Sequence, residues 1–384
     1  MTATDTTVCL LTADGRGAVA VLAVEGPGAD SAVARWFRSA SGWQLAKLPL
    51  GRIAFGRWAA DDGEEVVIVR TESGLEIQCH GGIAASRAIV QSLVESGVAR
   101  LDSAGWQQQH ARDSIAAQAA ERLGLCATER AALVLLDQYN GALRAELEQA
   151  IAAIERGDYS QAEQQLSTLA KRWEVGRILT TPARVVLTGP PNVGKSSLIN
   201  ALVGYQRAIV FDTPGTTRDV VTASTAIEGW AVDLVDTAGL RQATDGVEQS
   251  GIELAQAELA NADLVVLVGE AEQWLADQPP AFEFAQWFAD RPTVRVANKC
   301  DRLTNQSQEL LCKHASELIL TSAIEPHGAA PLLEAIAGRV VPSMLEPQAA
   351  VPFTLEQQQA ILAACNLLTS NQPETAALLL QALL

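Results

Sequence analysis

The chain has 384 residues, 48% of them hydrophobic, which suits two or three domains with cores of their own. A formal net charge of −17 repels polyanions at long range, so a nucleic-acid partner has to be met by a local patch or through another protein's surface. No apolar run reaches the roughly 20 residues that cross a bilayer, and the residues after Met1 are polar and unlike a signal peptide, so the chain is expected in the cytoplasm, without a membrane partner. Its six cysteines form no Cys-x-x-Cys pair and no zinc-type cluster, and they read as reduced thiols.

Taken in order, residues 1–105 read as a small α+β domain, with strand-like stretches at 17–24, 66–70 and 75–79 and an amphipathic helix over 83–95. His80-Gly81-Gly82 stands between a strand and that helix. Its amides face an anionic group, or its glycines serve a tight turn. Residues 106–180 are helical: prolines are absent over 114–179, and Ala132, Leu135, Leu136, Tyr139, Leu143, Leu147, Ile151 and Ile154 recur at helical spacing. Gly157-Asp158 then breaks the run and Asp158 caps a second helix, which gives a helical hairpin. Strands alternate with helices over 181–345, as in an α/β nucleotide-binding domain, and 346–384 holds two more helices, 354–368 and 374–384, able to pack back on the hairpin. The expected architecture is therefore an α/β domain inserted in a helical domain and preceded by the small α+β domain.

The chemistry lies in the third segment. Gly189-Pro190-Pro191-Asn192-Val193-Gly194-Lys195-Ser196-Ser197 follows an apolar strand and opens a helix, the setting of a phosphate-binding loop. Consecutive amides from Asn192 to Ser197 curl round a polyphosphate, Lys195 reaches the β and γ phosphates, and the Ser196 hydroxyl ligates Mg²⁺. After the next strand, Asp236-Thr237-Ala238-Gly239 offers a carboxylate to the water shell of Mg²⁺ and a glycine amide to the γ-phosphate. Asn298-Lys299-Cys300-Asp301 ends a later strand. There the Asp301 carboxylate accepts from N1–H and the exocyclic amine of guanine, a donor pair that adenine lacks, at about 1.5–3 kcal/mol per charge-assisted bond. Thr321-Ser322-Ala323, at the end of the strand-like stretch 318–320, adds a backbone N–H for guanine O6. The pattern reads as a GTP-binding and GTP-hydrolysing enzyme, which makes the inserted α/β segment an α/β P-loop GTPase domain. The glutamine that orients water just after the phosphate sensor in Ras-type enzymes is replaced by Leu240, so another group has to do that work.

The stretch from Pro191 to Asn200, Gly215-Thr216-Thr217-Arg218-Asp219, Asp236-Thr237-Ala238-Gly239-Leu240-Arg241 and Val247-Glu248 resemble the MnmE (TrmE) family of tRNA-modification GTPases. Gly15-Arg16-Gly17-Ala18-Val19-Ala20 and the stretch from Glu76 to Gly82 resemble the folate-binding domain of that family. The resemblance implies an N-terminal domain that forms a homodimer and binds a tetrahydrofolate derivative, with Arg16 and Glu76 as candidate contacts. It implies a flavoprotein partner (MnmG) and modification of the wobble uridine of certain tRNAs. Within the GTPase domain it implies Glu248 as the group that positions water, through a second water; a solvated glutamate at a helix start is the other reading. Asn192 either ligates K⁺ beside the phosphates, with carbonyls of Phe211, Thr213 and Thr216, or suits a turn. Thr217 ligates Mg²⁺ in the triphosphate state, and Arg218 and Arg241 read as ion-pair partners. The chain departs from the family at its end: Leu383-Leu384 stands where a Cys-x-Gly-Lys tail is expected. A regulatory or assembly GTPase without the one-carbon chemistry is the alternative that this departure raises.

Overall fold

The computed structural model describes residues 6–384 apart from 13–16, 43, 60–61, 206–221, 238–247, 277–284, 315–316 and 343–344. The chain divides into two compact units, Met1–Glu121 and Arg122–Leu384.

The first unit is built on strands β1 (Thr7–Leu10), β2 (Val19–Glu25), β3 (Phe37–Ser39), β4 (Ile53–Trp58), β5 (Glu65–Arg70), β6 (Gly74–His80) and β7 (Ala99–Arg100), with helices α1 (Ala29–Trp36), α2 (Ile83–Glu95) and α3 (Ser103–His110). The sheet order is β3-β4-β5-β6-β2-β1-β7, antiparallel throughout except for β1 with β7. Alternation decides its inner face: Leu75, Ile77 and Cys79 on β6 and Ala54 and Trp58 on β4 point into one core with Val33 of α1 and Ile89 and Leu93 of α2. The central strands and the helix over 83–95 stand where the sequence places them. Strands β1, β3, β4 and β7 come in addition.

Helix α4 (Ser114–Leu123) spans the division, and α5 (Glu129–Tyr139), α6 (Ala142–Glu155), α7 (Tyr159–Lys171) and α8 (Trp173–Gly176) follow. The single helical run expected over 132–154 is thus two helices. It breaks at Asn140-Gly141 because Gly141 takes a left-handed backbone (φ 106°), open to glycine at little steric cost. Asp158 caps α7 by accepting from the Gln161 amide at 3.1 Å.

Strands β8 (Ala183–Thr188), β9 (Thr222–Ile227), β10 (Trp230–Asp236), β11 (Leu264–Glu270), β12 (Thr293–Asn298) and β13 (Leu318–Leu320) form the second sheet. They alternate with helices α9 (Lys195–Tyr205), α10 (Glu248–Ala260), α11 (Ala271–Leu275), α12 (Asn305–His314) and α13 (Ala330–Val340). The order is β13-β12-β11-β8-β10-β9, all parallel except β9. Val185, Val186 and Leu187 on β8, and Leu264 through Val268 on β11, are buried, as strands covered on both faces must be. Helices α14 (Leu355–Thr369) and α15 (Pro373–Gln381) pack on α7 and α6 respectively, and on each other. A capping box starts α14, with Thr354 and Gln357 each accepting the other's amide. Among the described residues no helix is long and apolar enough to cross a membrane.

Two polar contacts within the second unit tie segments far apart in sequence. The Arg177 guanidinium, following α8, donates to Asp263 at 2.6 Å, and the other Asp263 oxygen accepts from the Arg184 amide at 2.8 Å. Burial works against the charge of Arg177, and its bonds to Glu174 and Asp263 outweigh that and hold its pKa up. Gln138 on α5 is fully buried; its amide donates to the carbonyls of Val134 (2.9 Å) and Ala349 (3.0 Å), and its oxygen accepts from the Val351 amide (3.1 Å). Replacing it by leucine strands the half-buried Ala349 carbonyl and the buried Val351 N–H. Gln138→Leu is therefore expected to cost about 2–4 kcal/mol, read as a lower urea midpoint for the unfolding step of this unit; an unchanged midpoint would mean that the 349–351 segment is held by packing alone.

Candidate guanine-nucleotide site

The four sequence motifs converge because each lies at the C-terminal end of a parallel strand: the loop after β8, Asp236 at the end of β10, Asn298 at the end of β12 and the turn after β13. In open α/β sheets, that edge is where the crossover loops leave a crevice and helix N-termini present their amides.

Backbone conformation shapes the phosphate loop. Gly189 (φ 149°) and Gly194 (φ 95°) take dihedrals that L side chains rarely adopt, and added β-carbons would meet the Val268 carbonyl at 2.0 Å and the Asn298 amide nitrogen at 2.5 Å. Asn192 is also left-handed, at φ 64°, which suits the turn reading of that residue. The Lys195 ammonium is buried under the loop and donates to the carbonyls of Gly189 (2.9 Å) and Pro190 (2.8 Å), curling the chain round its own cation. Ser196, on the first turn of α9, donates to the Asp236 carboxylate; two expected members of the Mg²⁺ shell thus touch. Thr237 is anchored by its hydroxyl to the Leu187 carbonyl at 3.0 Å, which fixes the chain just beyond Asp236. Ser197 is exposed on α9, and the Val193 side chain is buried.

The base end is as fully bonded. Asp301 accepts from the Ser322 hydroxyl at 2.6 Å, and that hydroxyl oxygen in turn takes the amides of Ile324 (3.4 Å) and Glu325 (3.3 Å). The Ser322 amide donates to the Gly328 carbonyl at 3.0 Å, leaving Ala323 as the next residue of the turn. Burial, reinforced by the negative charges of Glu325 and Asp301, pushes the Cys300 thiol up, so the cysteine between Lys299 and Asp301 stays neutral.

The two ends are joined. Asn298, nearly inaccessible, donates to the Val193 carbonyl at 2.8 Å and accepts from Thr321 at 3.1 Å. Lys299 (φ 63°) donates to the Asn192 carbonyl at 2.6 Å and pairs with Glu270. Thr237 and Thr321 stand inside the motifs without a side-chain role assigned to them, and Glu270 stands outside all of them. The apolar run of β11 ending in a carboxylate was the only signal for Glu270, and its pairing with β8 and β12 is not local.

Of the other expected residues, Phe211, Thr213, Thr216, Thr217 and Gly239 lie outside the described residues, as do Arg218, Leu240 and Arg241. Glu248 opens α10, and its side chain is likewise outside them. In the first unit Arg16 is outside too, while Glu76 lies on β6 and accepts from Gln78 at 2.8 Å. The Gly81 amide is spent on the Ala18 carbonyl at 3.0 Å, which favours the turn reading of the His80-Gly81-Gly82 glycines.

A family model described as "50S ribosome-binding GTPase" matches residues 184–299. The tRNA modification GTPase MnmE of Chloroflexus aurantiacus is 34% identical over 77% of this chain and 73% of its own length. That of Geobacter sulfurreducens is 33% identical over the same shares, and that of Clostridioides difficile is 28% identical over 91% of this chain and 85% of its own. Among solved structures, the FeoB G-domain from Methanococcus jannaschii matches at 24% identity and a TM-score of 0.29, over 41% of this chain and 98% of its own. The chain belongs to the MnmE family of tRNA-modification GTPases, with GTP binding and hydrolysis as its activity.

Proposed function

We propose that GTP lies along the C-terminal edge of the second sheet, its triphosphate in the loop 189–195 and its guanine against Asp301. The observation that carries this reading is the pair of bonds from Asn298 and Lys299 to consecutive loop carbonyls, Val193 and Asn192, which set a base-reading loop beside a phosphate-binding loop. Asp301 takes guanine N1–H and the exocyclic amine, with one oxygen already oriented by Ser322. The Ala323 amide takes O6. Lys195 moves from loop carbonyls to the β and γ oxygens, exchanging neutral acceptors for charged ones.

The residues present fit a Mg²⁺ ion: Ser196 and Thr217 would hold it, with Asp236 acting through water and the Gly239 amide on the γ-phosphate. When bound, Mg²⁺ neutralises charge on the β and γ oxygens. Asn192, with carbonyls of Phe211, Thr213 and Thr216, would hold K⁺, whose charge stands in for an arginine finger. Glu248 orients the attacking water, and being needed only in the transition state it acts on turnover and leaves binding alone.

Residues 1–105, 106–180, 181–345 and 346–384 then form the N-terminal domain, the first helical part, the GTPase domain and the second helical part. The packing of α14 on α7 and of α15 on α6, across the intervening GTPase segment, supports the insertion. The N-terminal domain would pair two copies and bind a tetrahydrofolate derivative through Arg16 and Glu76. An MnmG-like flavoprotein would join in modifying the wobble uridine of tRNA. With an acidic chain, the tRNA would be met mainly through that partner.

Two measurements check these steps. At equal ionic strength, K⁺ should accelerate GTP hydrolysis at least about tenfold over Na⁺, Asn192→Ala should remove most of the difference with little loss of GTP affinity, and Glu248→Ala should lower kcat in K⁺ without raising KM. Equal rates in the two salts would leave Asn192 a turn residue. Mass spectrometry of tRNA nucleosides from a strain lacking this chain should show the wobble-uridine modification lost or reduced; an unchanged profile would point to a regulatory GTPase.

A further inference from the structure

Glu270 belongs to none of the motifs, yet it reaches the centre of the site. It is the last residue of β11 and stands in register with Asn298 across the parallel β11–β12 pair, so its side chain emerges beside the residue that precedes Lys299. It occupies the N-cap position of α11, where a carboxylate could be used on helix amides, but it makes no capping bond. Its carboxylate holds the Lys299 ammonium instead, with both side chains about three-quarters buried (27% and 23% exposed).

That ammonium is shared. It also donates to the Asn192 carbonyl at 2.6 Å, and both Lys299 and Asn192 are non-glycine residues held at left-handed φ angles, 63° and 64°. A flexible lysine loses much side-chain entropy when fixed on one carbonyl oxygen, and a neutral acceptor alone is a weak restraint. A second, charged acceptor on a rigid strand end changes that balance. We infer that Glu270 is a positioning residue for guanine-nucleotide binding: through Lys299 it holds the phosphate loop at Asn192 in its binding geometry. This rests on the reading of the loop and of the Asn298–Asp301 segment as the GTP site.

Charge and position predict opposite signs. An added carboxylate near the phosphate loop repels a polyphosphate, so by charge alone Glu270→Gln tightens nucleotide binding. If Glu270 positions Lys299, the same substitution weakens it.

The test is mant-GDP dissociation from the full chain with Mg²⁺, followed by stopped-flow fluorescence, together with thermal melting of the nucleotide-free protein. Glu270→Gln should release mant-GDP about tenfold faster, the loss of one charge-assisted restraint. Its nucleotide-free melting midpoint should match that of the wild type. Glu270→Asp should restore most of the retention, and in a Lys299→Met background Glu270→Gln should add nothing further. Unchanged or slower release in Glu270→Gln would overturn the inference. So would an effect of the same size without Lys299, or a lowered midpoint with an unchanged release rate. A wild-type chain that retained no mant-GDP would overturn the site reading itself, and the role of Glu270 with it.

Discussion

The side chain of Asn298 is the interaction on which the rest of the nucleotide site depends. One buried amide donates to the phosphate loop at Val193 and accepts from Thr321 at the foot of the base-side turn, so three loops from three strands share one hinge point. Buried amides with both ends satisfied specify geometry more sharply than apolar packing does, because any shift breaks a bond that water cannot replace. Lys299, one residue on, repeats the link at Asn192 with a charged donor. Together they make the base-reading and phosphate-binding segments one object.

The sheet supplies the frame that lets this linkage form. Strand β8 is flanked by β10 and β11, which brings Asp236 to one side of the phosphate loop and Glu270 to the other, and β12 carries Asn298 one strand further out. All of these strands run parallel, so their functional ends fall on one edge. The chain's overall acidity sets that edge against the charge of a polyphosphate, which leaves the attraction to local donors such as Lys195 and the loop amides. Close positioning of those donors matters more here than it would on a basic domain.

The degree to which this was legible in sequence follows the range of the interactions. The phosphate loop and the Asn298–Asp301 segment are local: backbone dihedrals, glycine placement and one or two side chains carry the chemistry within nine residues, so spacing suffices to find them. The helix over 83–95 and the Asp158 cap are local as well, and both stand where the pattern puts them. The break between α5 and α6 was hidden because apolar spacing continues in phase through Asn140-Gly141, and only the backbone angle at Gly141 interrupts it. Gln138 meets Ala349 and Val351 across more than 200 residues, and no periodicity announces such a contact. Glu270 is intermediate: a carboxylate closing an apolar strand is visible, but its partner depends on which strand lies alongside.

The central claim is that Asn298 organises the phosphate loop as well as the base-side turn. It is tested most directly by calorimetric binding of inorganic pyrophosphate, which has no base to recognise, to the wild type and to Asn298→Ala. If Asn298 holds the loop, the substitution weakens pyrophosphate binding along with GDP binding, although the side chain is bonded to a loop carbonyl and not aimed at the phosphates. Undiminished pyrophosphate affinity beside a loss of GDP affinity would contradict the claim and confine Asn298 to the base end of the site.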